Sequence, residues 1–593
     1  MSESPPRPAP GWPGIEARWT SSAKSGVGTA IGNADRVWFT LSHGILNEIY
    51  YPRVDQACTR DMGLIVTGPD GYFSEEKRHA RHEVQVLGDG IPAYRLVNTA
   101  LDGRYRTIKE IVTDPRRPVV LQRISFELLQ GRRSDHRLFG ILAPHLHNAG
   151  NDNTALAETF KGTPVLSAQK PGTALAMICS RPWLAASVGF VGVSDGWQQL
   201  REHGFLPGQW DIAENGNVAL TGEIPLDGDA PIVIAIGFGQ TTASAAHHAI
   251  ASLQGGFDAA AQEYRRRWSA WQRTLSPPVP PEGGGRDLFR TSAAVLMCHE
   301  SSQFPGAIIA SLSIPWGASM GDGDIGGYHL VWPRDLVMSA GALLAAGAHG
   351  DVRRVLRYLR VTQEADGRWP QNMWLDGQPY WPGIQLDEAA LPVLLVDLAR
   401  RNSALDDRQL AELWPMVRRA VSFLVQHGPA TDQDRWEEDA GLTPFTMAVE
   451  VAALLIAAEL ADRFEPAVAG LLREMADTWN DLVDSRTYVT GTRLSAVHGV
   501  DGYYIRVEPL DHGLVTIRNR PEADAYRPAA EVVSPDVLAL VRFGLRAADD
   551  PRIVNTVKVI DAMLRTTLPA GDCWYRYDGD GYGEHADGAP FDG

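Results

Sequence analysis

The sequence predicts a two-part chain, an antiparallel β-sandwich followed by a closed ring of paired helices, and three observations carry that prediction. Up to about residue 270 the chain is a series of short β-branched segments separated by Gly, Asp, Asn and Pro. The run Ser276-Pro277-Pro278-Val279-Pro280-Pro281-Glu282-Gly283-Gly284-Gly285 then breaks it, as a linker does. Beyond that run the apolar spacing takes on a helical period. At 593 residues the chain is also too long for one core.

Taken in order, Val37–Leu41, Val84–Leu87, Val119–Phe126 and Ile232–Ile236 have the composition of strands, and turn residues between them suit a large sandwich over residues 1–256. Residues 257–285 form a helical stretch, FDAAAQEYRRRWSAWQRT, and the Pro/Gly linker; residues 286–593 form the helical domain. There, Leu336, Val337, Ala340, Leu343 and Leu344 share one stripe, and Met447, Val451, Leu454, Leu455 and Ala458 share another. About nine helices are expected up to about Thr567. Trp332-Pro333, Thr443-Pro444 and Ser534-Pro535 place Pro where the first helical turn needs no N–H donor. A further start lies at Asp387-Glu388, so the starts at 332, 387 and 443 are spaced by 55 and then 56 residues, one helix pair per interval. The longer gap before Ser534 holds strand-like segments at Thr487–Thr490 and Tyr503–Val507. Such pairing also suits an open solenoid. Polar and aromatic residues gathered before alternate helices favour a toroid, whose loops ring one cavity.

The net charge of −17 argues against a nucleic-acid groove or an anionic membrane surface as partner. With 17 tryptophans and 16 tyrosines, the chain has many flat rings suited to sugar faces, although large cores use them too. Cys58, Cys179, Cys298 and Cys573 match neither a metal pattern nor a disulfide framework. The N-terminus has no signal-peptide pattern, and no apolar run approaches the roughly 20 residues that span a bilayer. The expectation is a cytoplasmic protein with reduced thiols.

Four constellations could carry chemistry. In Arg435-Trp436-Glu437-Glu438-Asp439, adjacent carboxylates beside an aromatic ring precede an inner helix. Apolar cover from Trp436 and repulsion between the acids would raise one carboxyl pKa, as an acid cleaving a glycosidic bond requires; acids at a helix start also simply complement its dipole. In Trp332-Pro333-Arg334-Asp335, an Arg fork and an Asp could grip the hydroxyls of one sugar, or form an ion pair at the helix end. Trp369, Gln371 and Asn372 offer an indole and amides in a loop, where packing is the alternative. The last, Trp574 to Glu584, contains Arg576 and several acids, but Tyr582 breaks the calcium-loop pattern, and Asp322-Gly323-Asp324 is too short to hold a metal. No metal or cofactor is expected.

At these residues the chain resembles glycoside hydrolase family fifteen, which includes glucoamylases, glucodextranases and some bacterial trehalases. The likeness is carried by Phe304-Pro305-Gly306-Ala307, Ala310 to Gly317, Tyr328 to Leu336 and Trp436-Glu437-Glu438, and by Val27–Ala30 and Trp38–Gly44 in the sandwich. The resemblance implies an (α/α)6 barrel that hydrolyses α-glucans or gluco-oligosaccharides from non-reducing ends with inversion, releasing β-glucose. It implies Glu437 as general acid, Glu438 as a substrate-binding neighbour, and Arg334 and Asp335 as the pair holding the terminal glucose. Trp332, Trp369, Trp436 and Arg576 join them as candidate sugar contacts.

Inversion also needs a base about 6.5–9.5 Å from the acid. The family's base lies in a Trp-Ala-His-Ala-Glu-Tyr type segment that this sequence lacks, so an incomplete toroid is expected, with a later segment or a second chain supplying the base. Glu584 is the nearest in-chain substitute. A non-catalytic glucan-binding protein and a trehalase are the alternatives. A phosphorylase is a more distant one, since no basic loop suits phosphate.

Overall fold

The computed structural model describes residues 5–582 apart from Asn33, Asp35, Asp229, 278–287, 313–320, 324–326, His512 and Asn519. The expected linker from Pro278 onward, the segment Ser313–Gly317, Asp324 and Glu584 therefore lie outside the described residues. The chain divides into two compact units, Met1–Leu330 and Val331–Gly593.

The first unit is built on two antiparallel sheets. One has eight strands and is centred on Thr59–Gly68 paired with Arg137–Pro144; the other has nine and is centred on Ile232–Gly239 paired with Val119–Leu128. The period-two pattern explains the packing: in Tyr94–Ala100 the residues Tyr94, Leu96, Asn98 and Ala100 are buried while the alternate ones are not. Phe39, Leu41, Met62 and Leu64 of one sheet meet Leu96, Val120 and Ile124 of the other in a continuous apolar core. On the opposite face of the eight-stranded sheet, Ile65 and Phe139 are covered by Leu200 of the helix Gly196–His203.

Among the described residues, three longer helices follow the last strand of this unit, α1 (Thr242–Gly255), α2 (Phe257–Gln272) and α3 (Phe289–Cys298). Helix α2, expected as part of a linker, is docked instead. Its Tyr264 hydroxyl donates to the Pro92 carbonyl (2.9 Å), Trp268 Nε1 to Thr29 (2.9 Å) and Gln272 Nε2 to Gly90 (2.9 Å). Burial of Tyr264 and Trp268 is the physical reason. The compact division thus falls at 330/331 rather than at the Pro/Gly run.

The second unit is a layer of helix pairs: α4 (Pro333–Ala345) with α5 (His349–Thr362), α6 (Leu386–Arg401) with α7 (Asp407–His427), and α8 (Pro444–Phe464) with α9 (Pro466–Thr487). The chain continues to α10 (Pro551–Leu564). α6 packs on both α4 and α8. Their starts fall where Pro and capping residues place them, and Thr443 Oγ1 accepts the Thr446 N–H at 2.9 Å. The expected stripes are buried except for Leu455, which is exposed. α8 is long and apolar enough by composition to span a membrane, with mean hydropathy 1.7, and 78% of that window is buried inside the protein. Tyr488–Thr490 and Gly502–Tyr504 pair antiparallel, as their composition suggests. The start at Ser534 yields only the 3-10 turn Pro535–Leu538 and the α-turn Ala539–Arg542, because Gly544 adopts φ +81° and ends the helix. The four cysteines are unpaired, three of them buried.

Candidate active site

The loop between α7 and α8 is closed by reciprocal backbone hydrogen bonds between Thr431 and Gly441, both 3.0 Å. Gly441 is required there: its φ is +148°, and a Cβ would lie 2.4 Å from the Glu508 carbonyl oxygen. At the tip, Asp434 accepts the Glu438 N–H at 3.0 Å while its carbonyl accepts the Glu437 N–H at 2.9 Å. This turn holds Glu437 at φ +66°, an uncommon backbone for a non-glycine residue, of the kind kept at functional sites. The Glu437 carboxylate accepts Trp332 Nε1–H at 2.8 Å, which brings the start of α4 to the acid.

Arg334 ties the same elements from below. Its guanidinium donates to Asp387 (2.6 Å), Gln385 (3.0 Å) and the Arg435 carbonyl (3.2 Å), and its backbone N–H donates to Glu388. Only 7% of its side chain is exposed, so Arg334 acts first as the ion-pair anchor of the rim. Burial, with Asp387 and Asp335 nearby, pushes the Glu388 carboxyl well above the usual carboxylate range against the pull of Arg334. Asp335, the next residue round the helix, is exposed, and its carboxylate has no hydrogen-bond or ion-pair partner among the described residues. The expected pair is therefore split, one member inward and one outward.

A second cation organises the acids. Arg506, with a side chain 1% exposed, reaches Glu438 (3.0 Å), Asp434 (3.2 Å) and Asp439, while Tyr577 donates its hydroxyl to Glu438 at 2.5 Å. Burial raises the Glu438 carboxyl above its ordinary value despite Tyr577 and Arg506, and burial likewise pushes Asp536, which takes a bond from Arg435 (3.3 Å), up to about 6. Trp436 lies against the guanidinium groups of both Arg435 (4.5 Å) and Arg576 (4.9 Å). Its indole N–H is buried and has no hydrogen-bond partner among the described residues. Arg576 is held by Asp580 at 2.5 and 2.6 Å.

The third motif needs correction. Trp369 is 1% exposed and donates its indole N–H to the Leu359 carbonyl at 3.0 Å, so it packs the interior and presents no ring to a ligand. Gln371 and Asn372 are also buried, and Asn372 Oδ1 accepts the Trp381 N–H at 2.9 Å. The exposed ring is Trp381, 40% accessible and edge-on to Trp332 at 6.2 Å. Its signal was Tyr380-Trp381 itself, two aromatics before a Pro-Gly turn. Gln385, Asp387, Glu388, Asp434, Arg506 and Tyr577 were also not legible as site residues from sequence. Among the described residues no cluster of His, Cys, Asp or Glu could hold a metal.

A sandwich unit joined in one chain to a helical unit whose inner-helix starts converge on paired carboxylates is the arrangement of a two-domain glycosidase. The model of glucodextranase domain N matches residues 9–273, and that of the glycosyl hydrolases family 15 matches 285–366 and 363–591. A glucoamylase of Clostridium sp. (strain G0005) is 36% identical over 577 residues, which is 96% of this chain and 80% of that protein. The crystal structure of a bacterial glucoamylase complexed with acarbose superposes with TM-score 0.92 at 35% identity, over 99% of this chain and 85% of that one. An uncharacterised glycosyl hydrolase of Methanocaldococcus jannaschii is 23% identical over 40% of this chain and 35% of its own length. The chain belongs to glycosyl hydrolase family 15: it is a glucoamylase-like glycoside hydrolase with a β-sandwich and an (α/α)6 helical domain.

Proposed function

We propose that the protein is an exo-acting glucohydrolase that removes β-D-glucose with inversion from the non-reducing ends of α-gluco-oligosaccharides. The observation that carries the reading is the seat of Glu437: a strained turn and the Trp332 indole fix its carboxyl at the rim where Arg334, Glu438 and Trp436 meet. Glu437 donates its proton to the glycosidic oxygen as the bond to the anomeric carbon breaks. Asp335 supplies an unpartnered acceptor for sugar hydroxyls, and Trp381 supplies a stacking ring in place of the enclosed Trp369. The complex of a related glucoamylase with acarbose supports an oligosaccharide ligand. The carboxylate that activates water lies, in this reading, outside the described residues.

The test uses the full-length protein. Glu437→Gln should lower kcat by about 10²–10⁴-fold with oligosaccharide binding little changed, since the amide keeps the shape but carries no transferable proton. Proton NMR of the first turnovers should record the β-anomer. Undiminished turnover in the variant, or initial release of α-glucose, overturns the assignment.

A further inference from the structure

The sandwich unit has a cavity of about 410 Å³ that the chemistry above does not use. It lies on the helix-covered face of the eight-stranded sheet, between Ile141 and Ala143 of one strand, Glu75 of another, and Trp197 of the helix Gly196–His203. A register step shapes it. Ala143 stands opposite Asp61 and Pro144 opposite Thr59, so Arg60 has no residue across from it. Such a bulge re-aims side chains, and bulges gather beside sites. Strict alternation would send Arg60 into the apolar core with Met62 and Leu64; instead Arg60 and Asp61 line the cavity side by side.

Most of the charged groups on this wall are paired within the protein. Lys77 bonds Asp61 at 3.0 Å, Arg78 bonds Glu75, Trp197 Nε1 donates to Glu75 at 3.0 Å, and Asp195 accepts the Gln198 N–H at 3.1 Å. The guanidinium of Arg60 has no hydrogen-bond or ion-pair partner among the described residues, and its Nε–H is buried. The terminal N–H groups of Arg60 are not enclosed in this way and remain as donors on the cavity wall. The carboxylates of Asp61 and Glu75 on the same wall would repel an anion. Donors and acceptors of both signs beside an indole and an aliphatic ledge suit a neutral polyhydroxylated ring instead.

We propose that this cavity is a second saccharide-binding site, with Arg60 as its hydroxyl-binding donor and Trp197 as its aromatic wall. That its ligand is an α-gluco-oligosaccharide rests on the function proposed above. The site would hold the polymer while the catalytic unit trims its end, so it serves longer chains and is dispensable for short ones.

The full chain carrying Glu437→Gln, titrated calorimetrically with maltopentaose, should bind at two sites. Adding Arg60→Leu should remove one of them, or weaken it by about 10-fold or more. On the Glu437 background the same Arg60→Leu change should leave kcat/KM for maltose within about two-fold, which also certifies folding. Should Arg60→Leu destabilise the unit, Trp197→Ala gives the same readout. One site in every variant, two sites indifferent to both changes, or displacement of the sugar by inorganic sulfate would each overturn the proposal. Hydrolysis by Glu437→Gln would instead count against the active-site assignment, and leaves the site count to decide this one.

Discussion

Two tryptophans separate packing from recognition at the scale of single residues. Trp369 is enclosed, its N–H spent on Leu359, and Gly367 beside it has φ +105° with a Cβ that would lie 2.1 Å from the Arg419 carbonyl oxygen. Trp381 keeps 40% of its surface. Trp369→Ala should cost about 3–5 kcal/mol of stability in urea unfolding with little change in KM. Trp381→Ala should stay within about 0.5 kcal/mol of wild type yet raise KM about five- to tenfold, which is about 1–1.4 kcal/mol of lost ring contact. The reverse pattern would restore Trp369 as the sugar platform. Sequence could not separate them, since both precede turn-forming residues and burial depends on the partner chain segment. Glu437 and Glu438 stood out in the sequence because adjacent acids beside a tryptophan form a local pattern. Arg506 and Tyr577, which grip Glu438 from 68 and 139 residues away, did not, because nothing near them in sequence marks the carboxylate they meet.

Helix starts were more legible than helix lengths, because starts are decided by caps and Pro within a turn whereas lengths depend on packing. Thr443-Pro444 opened α8 where expected, while the start at Ser534 was cut short at Gly544. α8 also contains a residue that patterning would exclude. Glu450 is fully buried, and neither carboxyl oxygen has a hydrogen-bond partner among the described residues. The charge of Asp387 on α6 acts on it, and a Cβ on Gly428, at the end of α7, would lie 2.6 Å from both its Oε1 and the Trp479 ring of α9. Burial, with Asp387 adding, raises its carboxyl well above the ordinary range. The folded state thus holds this proton more tightly than the unfolded chain. The benefit is full below the unfolded value of about 4.3 and is lost as pH rises toward the folded value, at about 1.4 kcal/mol per unit. Glu450→Gln should flatten that decline, measured as the slope of unfolding free energy against pH above about 5. An unchanged slope would mean that Glu450 is not the group responsible.

For the whole molecule, composition marked a boundary at the Pro/Gly run, and contacts draw it elsewhere. α3 comes after that run in sequence but belongs to the first unit. Its Arg290 donates to the Gln272 carbonyl at 3.1 Å and pairs with Asp89 at 3.1 Å, and Cys298 is wholly buried with its thiol raised in pKa by that burial, beside Thr29. A linker reports where the chain is unconstrained locally, and does not decide whether the next helix returns to the domain the chain has left. A fragment of residues 1–330 should therefore unfold in urea as one cooperative transition. A fragment of residues 1–276 should be less stable by about 2 kcal/mol, because it forfeits the Arg290 bonds and uncovers the surface on which Cys298 is buried. If the shorter fragment matched the longer one in midpoint and slope, α3 would contribute nothing to the sandwich, and the composition boundary would be the physical one after all.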